Sequence, residues 1–278
     1  MFFHLLNLRE SKKICVICVL TSFSRFFSYV QFTIFRIKNN PAIAFGRNFV
    51  YANPLMYFFL KRFMDILLSA TVLLMLSLVL IPVCIALLLT GEHYVFYLQE
   101  RIGLRNRKFG IWKFATMLKD SPNLPGGLHT MRRDPRLLPL GHFLRITKIN
   151  ELPQLINILL GDMSVVGPRP LVDKTFDPYP PHVKAAVYNI RPGLTGIGSI
   201  VFRDEERLLS ESGMPAQEFY ARHIAPAKGE LELWYQRHLS LRTDALIIFL
   251  TAWVILFPKS RLLHRVFKDL PEIHVPGL

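Results

Sequence analysis

The stretch FMDILLSATVLLMLSLVLIPVCIALLL, residues 63–89, is the part of this sequence that decides the fold. It is 27 residues long, and Asp65 is its one charged residue. As a straight helix it would be about 40 Å long, because each helical residue adds ~1.5 Å, whereas the hydrocarbon core of a bilayer is about 30 Å thick. The simplest interpretation is an ordinary transmembrane helix.

Pro82 and the basic residues beyond both ends favour a different path for this helix. Proline removes a backbone hydrogen bond and can kink or break a helix. Lys61 and Arg62 precede the apolar run, and further basic residues follow it at Arg101, Arg105, Arg107 and Lys108. Because cytoplasmic flanks of membrane helices are rich in Lys and Arg, both ends satisfy this bias only on the same face. We therefore expect residues 61–90 to form a re-entrant membrane hairpin with its break at Pro82.

The composition indicates a membrane protein with anionic partners. Of the 278 residues, 51% are hydrophobic, and the formal net charge is +14. A basic surplus suits nucleic acid, phospholipid head groups or phosphorylated substrates. The long apolar run favours membrane lipids among these partners. No known nucleic-acid-binding motif is present, so we expect no nucleic-acid partner.

The three cysteines indicate neither a metal site nor a disulfide framework. Cys15 and Cys18 form a CxxC pair in an apolar stretch, and Cys84 lies within the long apolar run. No second pair completes a zinc site. This usage fits a reducing compartment, and we expect the domain to face the cytoplasm.

The rest of the chain predicts an α+β, helix-rich fold. Residues 95–98 and 109–112 have strand-like composition around a turn signal at residues 103–106, which predicts a β-hairpin. Residues 122–127 have loop composition, and residues 14–35 fit either an interfacial helix or an interrupted transmembrane span. Helices are expected over residues 137–145, 152–160, 218–238 and 245–257.

These elements group into five segments. The last predicted helix has 13 residues, which is short for a bilayer span and better suited to lying on a membrane or packing on a domain. The predicted organisation is a variable N-terminal segment (1–60), the re-entrant membrane helix (61–90), a small catalytic domain (91–239), an interfacial helix (240–257) and a tail (258–278).

Asn150 and Glu151 form the first candidate element of a phosphate-binding site. Asn150 is a favourable N-cap residue, and Pro153 is compatible with the first turn of the helix that follows. Glu151 would then lie at the positive end of a helix dipole with Arg145 nearby, where a carboxylate stays ionised and can hold Mg²⁺. On its own, this stretch is better explained by a plain capping motif with solvated charges.

Three further cations extend the candidate site. Arg169 lies in the rigid turn Gly167-Pro168-Arg169-Pro170, and a planar guanidinium suits phosphate oxygens. Arg191 is followed by glycines at 193 and 196, which are expected to let the backbone approach a ligand closely. Lys113 ends the predicted hairpin. A membrane scaffold has no need of this combination, which predicts a site for a diphosphate with its metal.

Several motifs in the same order resemble the bacterial sugar transferase family, the monotopic polyprenyl-phosphate phosphoglycosyl transferases. The resemblance covers roughly residues 55–257. Its motifs are Lys61-Arg62-Phe63-Met64-Asp65, Gln99-Glu100-Arg101-Ile102-Gly103, Lys113-Phe114, Asp134-Pro135-Arg136, Gly141-His142-Phe143-Leu144-Arg145, Asn150-Glu151-Leu152-Pro153-Gln154-Leu155, Gly161-Asp162-Met163-Ser164, Gly167-Pro168-Arg169-Pro170, Arg191-Pro192-Gly193-Leu194-Thr195-Gly196 and Asp244.

The resemblance implies a reaction and a location. The family transfers a sugar 1-phosphate from a nucleotide-diphosphate sugar to polyprenyl phosphate with Mg²⁺, releasing a nucleoside monophosphate and starting a cell-surface glycan. Its catalytic domain faces the cytoplasm at the inner membrane, anchored by a re-entrant helix. By motif, Glu151 takes the metal-associated role and Pro82 approximates the membrane break, a few residues later than in relatives. Phosphate roles fall to Lys113, Arg145, Arg169 and Arg191.

Asn150 departs from the family pattern, because the resemblance implies an aspartate nucleophile at this position. A neutral amide is a poor nucleophile toward phosphorus, although it caps a helix about as well as aspartate. Three hypotheses follow. The protein is active by another route, through direct attack by the lipid phosphate or through another carboxylate such as Glu151 or Asp204. It is a non-catalytic homologue that binds nucleotide sugar or lipid phosphate. Or Asn150 is an engineered replacement that traps the enzyme.

Overall fold

The computed structural model describes residues 54–121, 136–258 and 260–278. Several sequence predictions lie outside these residues. They are the path of residues 14–35, the Cys15–Cys18 pair, the loop at 122–127 and the motif residues Asp134 and Pro135.

The long apolar run forms one continuous helix, α1 (Pro54–Leu89), with Pro82 inside it. The described helix is therefore not divided into two elements at Pro82, and the predicted re-entrant hairpin is not confirmed. Packing supports the helix beyond the proline, because Leu87 is buried against Phe114 and Leu144 of the domain. Residues 56–89 are long and apolar enough to cross a membrane, with a mean hydropathy of 3.1 and only 6% of the window buried.

The predicted β-hairpin is confirmed and is longer than expected. Strands β1 (Phe96–Ile102) and β2 (Lys108–Phe114) pair antiparallel through their full length. A single 3₁₀ turn at Leu104–Asn106 joins them. Tyr97 pairs with Lys113, so the period-two alternation of strands puts Gln99 and Arg101 on the same face as Lys113.

The Asn150 region differs from the predicted N-cap. Asn150 lies in a 3₁₀ turn, Ile149–Glu151, directly after Lys148, whose φ of 60° is left-handed. Its side chain is buried and makes no capping hydrogen bond, and the helix that follows begins only at Gln154. The N-cap prediction is therefore wrong, because the left-handed residue redirects the chain and turns Asn150 inward.

The remaining elements before the second sheet are short. The helix predicted over 137–145 begins only at residue 141, because Leu137 instead forms a β-bridge with Met117. These elements are α2 (Gly141–Ile146), α3 (Gln154–Leu160), β3 (Ser164–Val166), α4 (Asp173–Phe176), α5 (Pro181–Ala186) and a 3₁₀ turn (Val187–Asn189).

A small parallel sheet joins two stretches that the sequence analysis had treated as turns. Strand β3 pairs with β4 (Gly193–Thr195). A Cβ atom on Gly193 would lie 2.1 Å from the backbone nitrogen of Gly167, and one on Gly196 would lie 2.2 Å from the carbonyl oxygen of Gly167. These glycines therefore serve contact between two backbone segments, which corrects the expectation that they open the backbone to a ligand.

The C-terminal half is helical and carries much of the core. The predicted helix over 218–238 is confirmed as three consecutive segments, and the one predicted over 245–257 begins four residues earlier than expected. The elements are α6 (Ile197–Val201), α7 (Glu205–Glu211), α8 (Ala216–Phe219), a π turn (Tyr220–Ile224), α9 (Ala225–Arg237), α10 (Leu241–Leu256) and α11 (Leu262–Val266).

Helix α9 lies at the centre of the main hydrophobic core, where Leu231 and Tyr235 are fully buried. The tail packs on the same core through Leu263, Phe267 and Val275. The predicted tail segment is therefore in direct contact with the predicted catalytic domain.

Candidate active site

Three cations surround Glu151 in a half-buried site between the hairpin, the 3₁₀ turn and the turn after β3. Lys113 and Arg101 project from the same face of the hairpin, and Gln99 holds both. Its Oε1 accepts a hydrogen bond from Lys113 Nζ at 3.1 Å and from an Arg101 guanidinium nitrogen at 2.8 Å. Arg169 follows β3 and is exposed. Short-range pairing in the hairpin and two distant turns thus create one positive site around a carboxylate.

Glu151 remains ionised in this site. Burial opposes ionisation, but Arg169 and then Lys113, Lys148 and Arg101 outweigh it, so the pKa of Glu151 lies below its ordinary value. Among the residues that the structure describes, none forms a direct ion pair with Glu151. The carboxylate therefore acts on its cations across a gap, which leaves room for an anion or a metal between them.

The cations have pKa values below their ordinary range. Burial, and then Arg101, lowers the pKa of Lys113 to about 8, with Glu151 opposing the shift. Burial, and then Arg169, lowers the pKa of Arg101 to about 10. Both shifts record an excess of positive charge that the protein itself leaves uncompensated. An anionic ligand would relieve this repulsion, which makes the site suited to phosphate oxygens.

Glu151 is the residue suited to hold Mg²⁺. Across residues 54–121, 136–258 and 260–278, no three His, Cys, Asp or Glu side chains converge on one point. An all-protein cage is therefore not present in this part of the chain. Mg²⁺ usually takes one or two carboxylates together with substrate phosphates and water, and a single ionised glutamate beside a phosphate-binding site fits that pattern.

Asn150 and Arg145 lie at the edge of this site. The Asn150 side chain is buried at 8% exposure, and its Oδ1 has no hydrogen-bond partner among the described residues. Arg145 donates from Nε to Thr116 Oγ1 at 3.1 Å, and its charge contributes to the lowered pKa of Lys113. Both predicted residues are thus near Glu151.

Arg191 and Asp204 are not brought to this site. Arg191 donates from Nε to the carbonyl oxygen of Gly161 at 2.7 Å, and its near charged neighbour is Arg62 of α1. The Asp204 side chain is 57% exposed at the start of α7, where Arg203 is its ion-pair partner at 3.4 Å. The described contacts therefore give no support to a phosphate role for Arg191 or a nucleophilic role for Asp204.

Arg101 and Tyr188 are site residues that the sequence analysis did not assign. Arg101 had a usable signal, because strand alternation puts it on the Lys113 face of the hairpin. Tyr188 had none. Its hydroxyl donates to the carbonyl oxygen of Arg169 at 2.8 Å and accepts from the backbone N–H of Leu171 at 3.0 Å, which holds the Arg169 turn from both sides.

The comparison with protein families matches this frame. A model described as "Bacterial sugar transferase" matches residues 56–258, which include α1, the hairpin and every residue around Glu151. The chain belongs to the bacterial sugar transferase family. The expectation drawn from its motifs is confirmed at the level of the family.

Curated relatives of this sugar transferase carry informative names. It is 33% identical over 201 residues to "Undecaprenyl-phosphate glucose phosphotransferase" of Komagataeibacter xylinus, covering 69% of this chain and 35% of that protein. It is 33% identical over 197 residues to "UDP-glucose:undecaprenyl-phosphate glucose-1-phosphate transferase" of Escherichia coli K12, covering 70% of this chain and 39% of that protein. The match therefore spans less than half the length of these two relatives.

A shorter relative is covered almost completely. The sugar transferase is 33% identical over 200 residues to "Exopolysaccharide production protein PSS" of Rhizobium leguminosarum bv. phaseoli, covering 68% of this chain and 92% of that protein. The matched region is thus nearly the whole of at least one family member.

Proposed function

We propose that this protein is a membrane-bound phosphoglycosyl transferase. It moves a sugar 1-phosphate from a nucleotide-diphosphate sugar to polyprenyl phosphate. The observation that carries the proposal is the arrangement of Lys113, Arg101 and Arg169 around an ionised Glu151 that has no direct ion pair among the described residues. The names of the curated relatives, which include undecaprenyl phosphate and UDP-sugars, supply the substrate classes.

The proposed reaction is a displacement at the phosphorus atom that bears the sugar. An oxygen of the polyprenyl phosphate attacks this phosphorus, a new P–O bond forms, and the P–O bond to the nucleoside monophosphate breaks. Charge accumulates on the oxygens of the transferred group and of the leaving phosphate. Lys113, Arg101 and Arg169 stabilise this charge from fixed positions without a reorganisation step. Mg²⁺ held at Glu151 would neutralise further charge on the diphosphate.

Direct attack by the lipid phosphate is favoured by the residues at the site. Asn150 presents a neutral amide, which cannot replace a carboxylate as nucleophile. Asp204 lies apart from Glu151, with Arg203 as its ion-pair partner. Glu151 is the one carboxylate in the described part of the site, and holding the metal occupies it. The lipid phosphate is itself an anionic oxygen nucleophile and needs no protein nucleophile.

The location follows from α1. Its apolar side chains are largely exposed outside the domain, including Leu74, Met75 and Leu78 at 75%, 70% and 82% exposure. Exposed apolar surface on this scale requires lipid or a partner to cover it. We propose the inner membrane, with the catalytic domain facing the cytoplasm, where nucleotide sugars are available. A re-entrant path for α1 remains part of this proposal.

Release of nucleoside monophosphate tests the activity. Purified full-length protein in detergent is incubated with polyprenyl phosphate, Mg²⁺ and a panel of nucleotide-diphosphate sugars. We expect release from at least one donor, and a loss of about a hundredfold or more in Glu151→Gln, in line with removal of one preorganised charge. No release by the wild-type protein from any donor, together with turnover in Asn150→Asp, would rule out an active enzyme.

A donor labelled at the sugar-bearing phosphate tests the route. Without acceptor, the wild-type protein should retain no label after denaturation, because direct displacement forms no covalent intermediate. Asn150→Asp is the matched control, since it restores a carboxylate and should retain label. Label on the wild-type protein would contradict direct attack and indicate a protein nucleophile.

Asn150 also favours one second function, a homologue that binds nucleotide sugar or lipid phosphate without transfer. Protection of the wild-type protein against thermal unfolding by a nucleotide sugar, without any release of monophosphate, would identify it.

A further inference from the structure

One turn of α1 points charged side chains into the domain instead of toward solvent or lipid. Arg62 and Asp65 are 4% and 5% exposed, although they begin a helix whose other side chains are mostly exposed and apolar. They are three residues apart, so they project from the same face of the helix. Burying two charges in this way is costly unless both are paired and hydrogen-bonded, so their partners indicate their purpose.

Arg62 binds the end of α3. One guanidinium nitrogen donates to the carbonyl oxygen of Ile158 at 2.5 Å, and the other donates to that of Leu159 at 2.8 Å. These carbonyls belong to the last turn of the helix, where backbone acceptors lack partners within the helix and the dipole is negative. Helix α3 begins three residues after Glu151, so Arg62 fixes the element that continues from the metal-associated glutamate.

Asp65 binds the free edge of β3. Its Oδ1 accepts the backbone N–H of Val165 at 3.0 Å. The backbone N–H groups of Ser164 and Gly167 donate to the segment that carries β4, so the N–H of Val165 points the other way. Asp65 takes the place of a neighbouring strand there. Arg169 lies four residues beyond Val165, at the end of the turn that β3 leads into.

We infer that Arg62 and Asp65 are positioning residues, which hold the α3 and β3 segments on one turn of the membrane helix so that Glu151 and Arg169 face the same ligand. This inference rests on the proposed diphosphate site. Under it, α1 is part of the construction of the active site as well as an anchor.

Lys61 supplies a matched control on the same turn. Its Nζ forms an ion pair with Asp244 of α10 at 2.9 Å, and this pair is also buried. Helix α10 carries none of the residues around Glu151. Lys61→Met therefore removes an anchor of similar burial from the same helix while leaving both Arg62 and Asp65 in place.

The test compares Asp65→Leu, Asp65→Asn and Lys61→Met in the full-length protein. UDP with Mg²⁺ is the ligand probe, and hydrogen–deuterium exchange follows residues 164–171 without ligand. Asp65→Leu should raise exchange in that segment and weaken UDP binding about tenfold, the effect of losing one charge-assisted hydrogen bond. Asp65→Asn should restore both, because its amide oxygen still accepts from Val165. Lys61→Met should change neither.

Arg62→Lys covers the case in which Asp65→Leu does not fold. A lysine keeps the charge but cannot bond two carbonyls with one planar fork, so exchange should rise in residues 154–160 and UDP binding should weaken several-fold. A folded Asp65→Leu or Arg62→Lys with wild-type UDP affinity overturns the inference. So does a wild-type protein that binds no UDP, since no diphosphate site would then need positioning. UDP binding without release of monophosphate would instead refute the proposed activity and leave the inference standing.

Discussion

The lowered pKa of Lys113 predicts that diphosphate binding weakens above pH 8. The perturbation is a change from pH 7 to pH 9 in the wild-type protein and in Lys113→Arg. Lys113 has a pKa of about 8 in the free site, because burial and then Arg101 disfavour its charged form. A diphosphate binds the charged form better, since it supplies the negative charge that the site lacks. Binding must therefore take up a proton once the pH exceeds this pKa.

The size of the effect follows from the protonated fraction. With a pKa of about 8, roughly nine-tenths of the Lys113 side chains are charged at pH 7 and roughly one-tenth at pH 9. If only the charged form binds, the dissociation constant should rise about tenfold between these pH values, which is about 1.4 kcal/mol. Arg101 contributes little in this window, because its pKa is about 10.

Calorimetric titration with UDP in detergent, at several pH values from 6.5 to 9.5, measures this effect. In Lys113→Arg the guanidinium stays charged throughout, so its affinity should be nearly constant between pH 7 and pH 9. An equal loss of affinity in both proteins would refute the reasoning, because the titrating group would then not be Lys113. So would a wild-type affinity that does not change over this range.

Three further predictions concern stability and the excluded nucleophile. Gly193→Ala should destabilise the fold by about 3 kcal/mol or more, because its Cβ would lie 2.1 Å from the backbone nitrogen of Gly167. In thermal unfolding, Gly110→Ala is the milder comparison, since only a leucine side chain lies near its Cβ, at 3.3 Å.

Burial raises the pKa of Glu232 to about 8, with Lys228 opposing the shift. The folded state therefore holds this proton longer than the unfolded state, and the stability of the wild-type protein should fall between about pH 4.5 and pH 8 by a few kcal/mol, on the order of one per pH unit. Denaturant unfolding should show a flatter pH profile for Glu232→Gln. Asp204→Asn should leave monophosphate release within about twofold, as expected for an exposed surface carboxylate; a loss above about tenfold would return Asp204 to the active site.

Local signals in the sequence were sufficient for the hairpin and for the family. The two strands needed only alternation around a turn signal, and the family assignment needed only ordered motifs. The same signals failed at Asn150. An asparagine before a proline and an apolar run favours an N-cap by propensity, but the left-handed Lys148 precedes it and the side chain is turned into the protein. Such a reversal depends on tertiary packing, which propensity does not contain.

The two arginine motifs show the same limit in a different way. Arg169 and Arg191 have similar local sequences, with an arginine beside proline and glycine, and both were predicted to bind phosphate. Pairing of β3 with β4 brings their backbones together, yet Arg169 faces Glu151 while Arg191 binds the carbonyl of Gly161. The direction of each side chain depends on which face of the small sheet it leaves, and that sheet joins residues almost thirty positions apart.

The long apolar run returns as the clearest example of what each level determines. Sequence alone established that residues 63–89 are helical and suited to lipid, because hydrophobicity and length are local properties. It also indicated charged residues at the start of this run, which a bias in membrane topology explained. Only the tertiary structure showed that Arg62 and Asp65 are buried against α3 and β3. Their partners are backbone atoms about a hundred positions away, and a backbone carbonyl or N–H has no signature in the sequence.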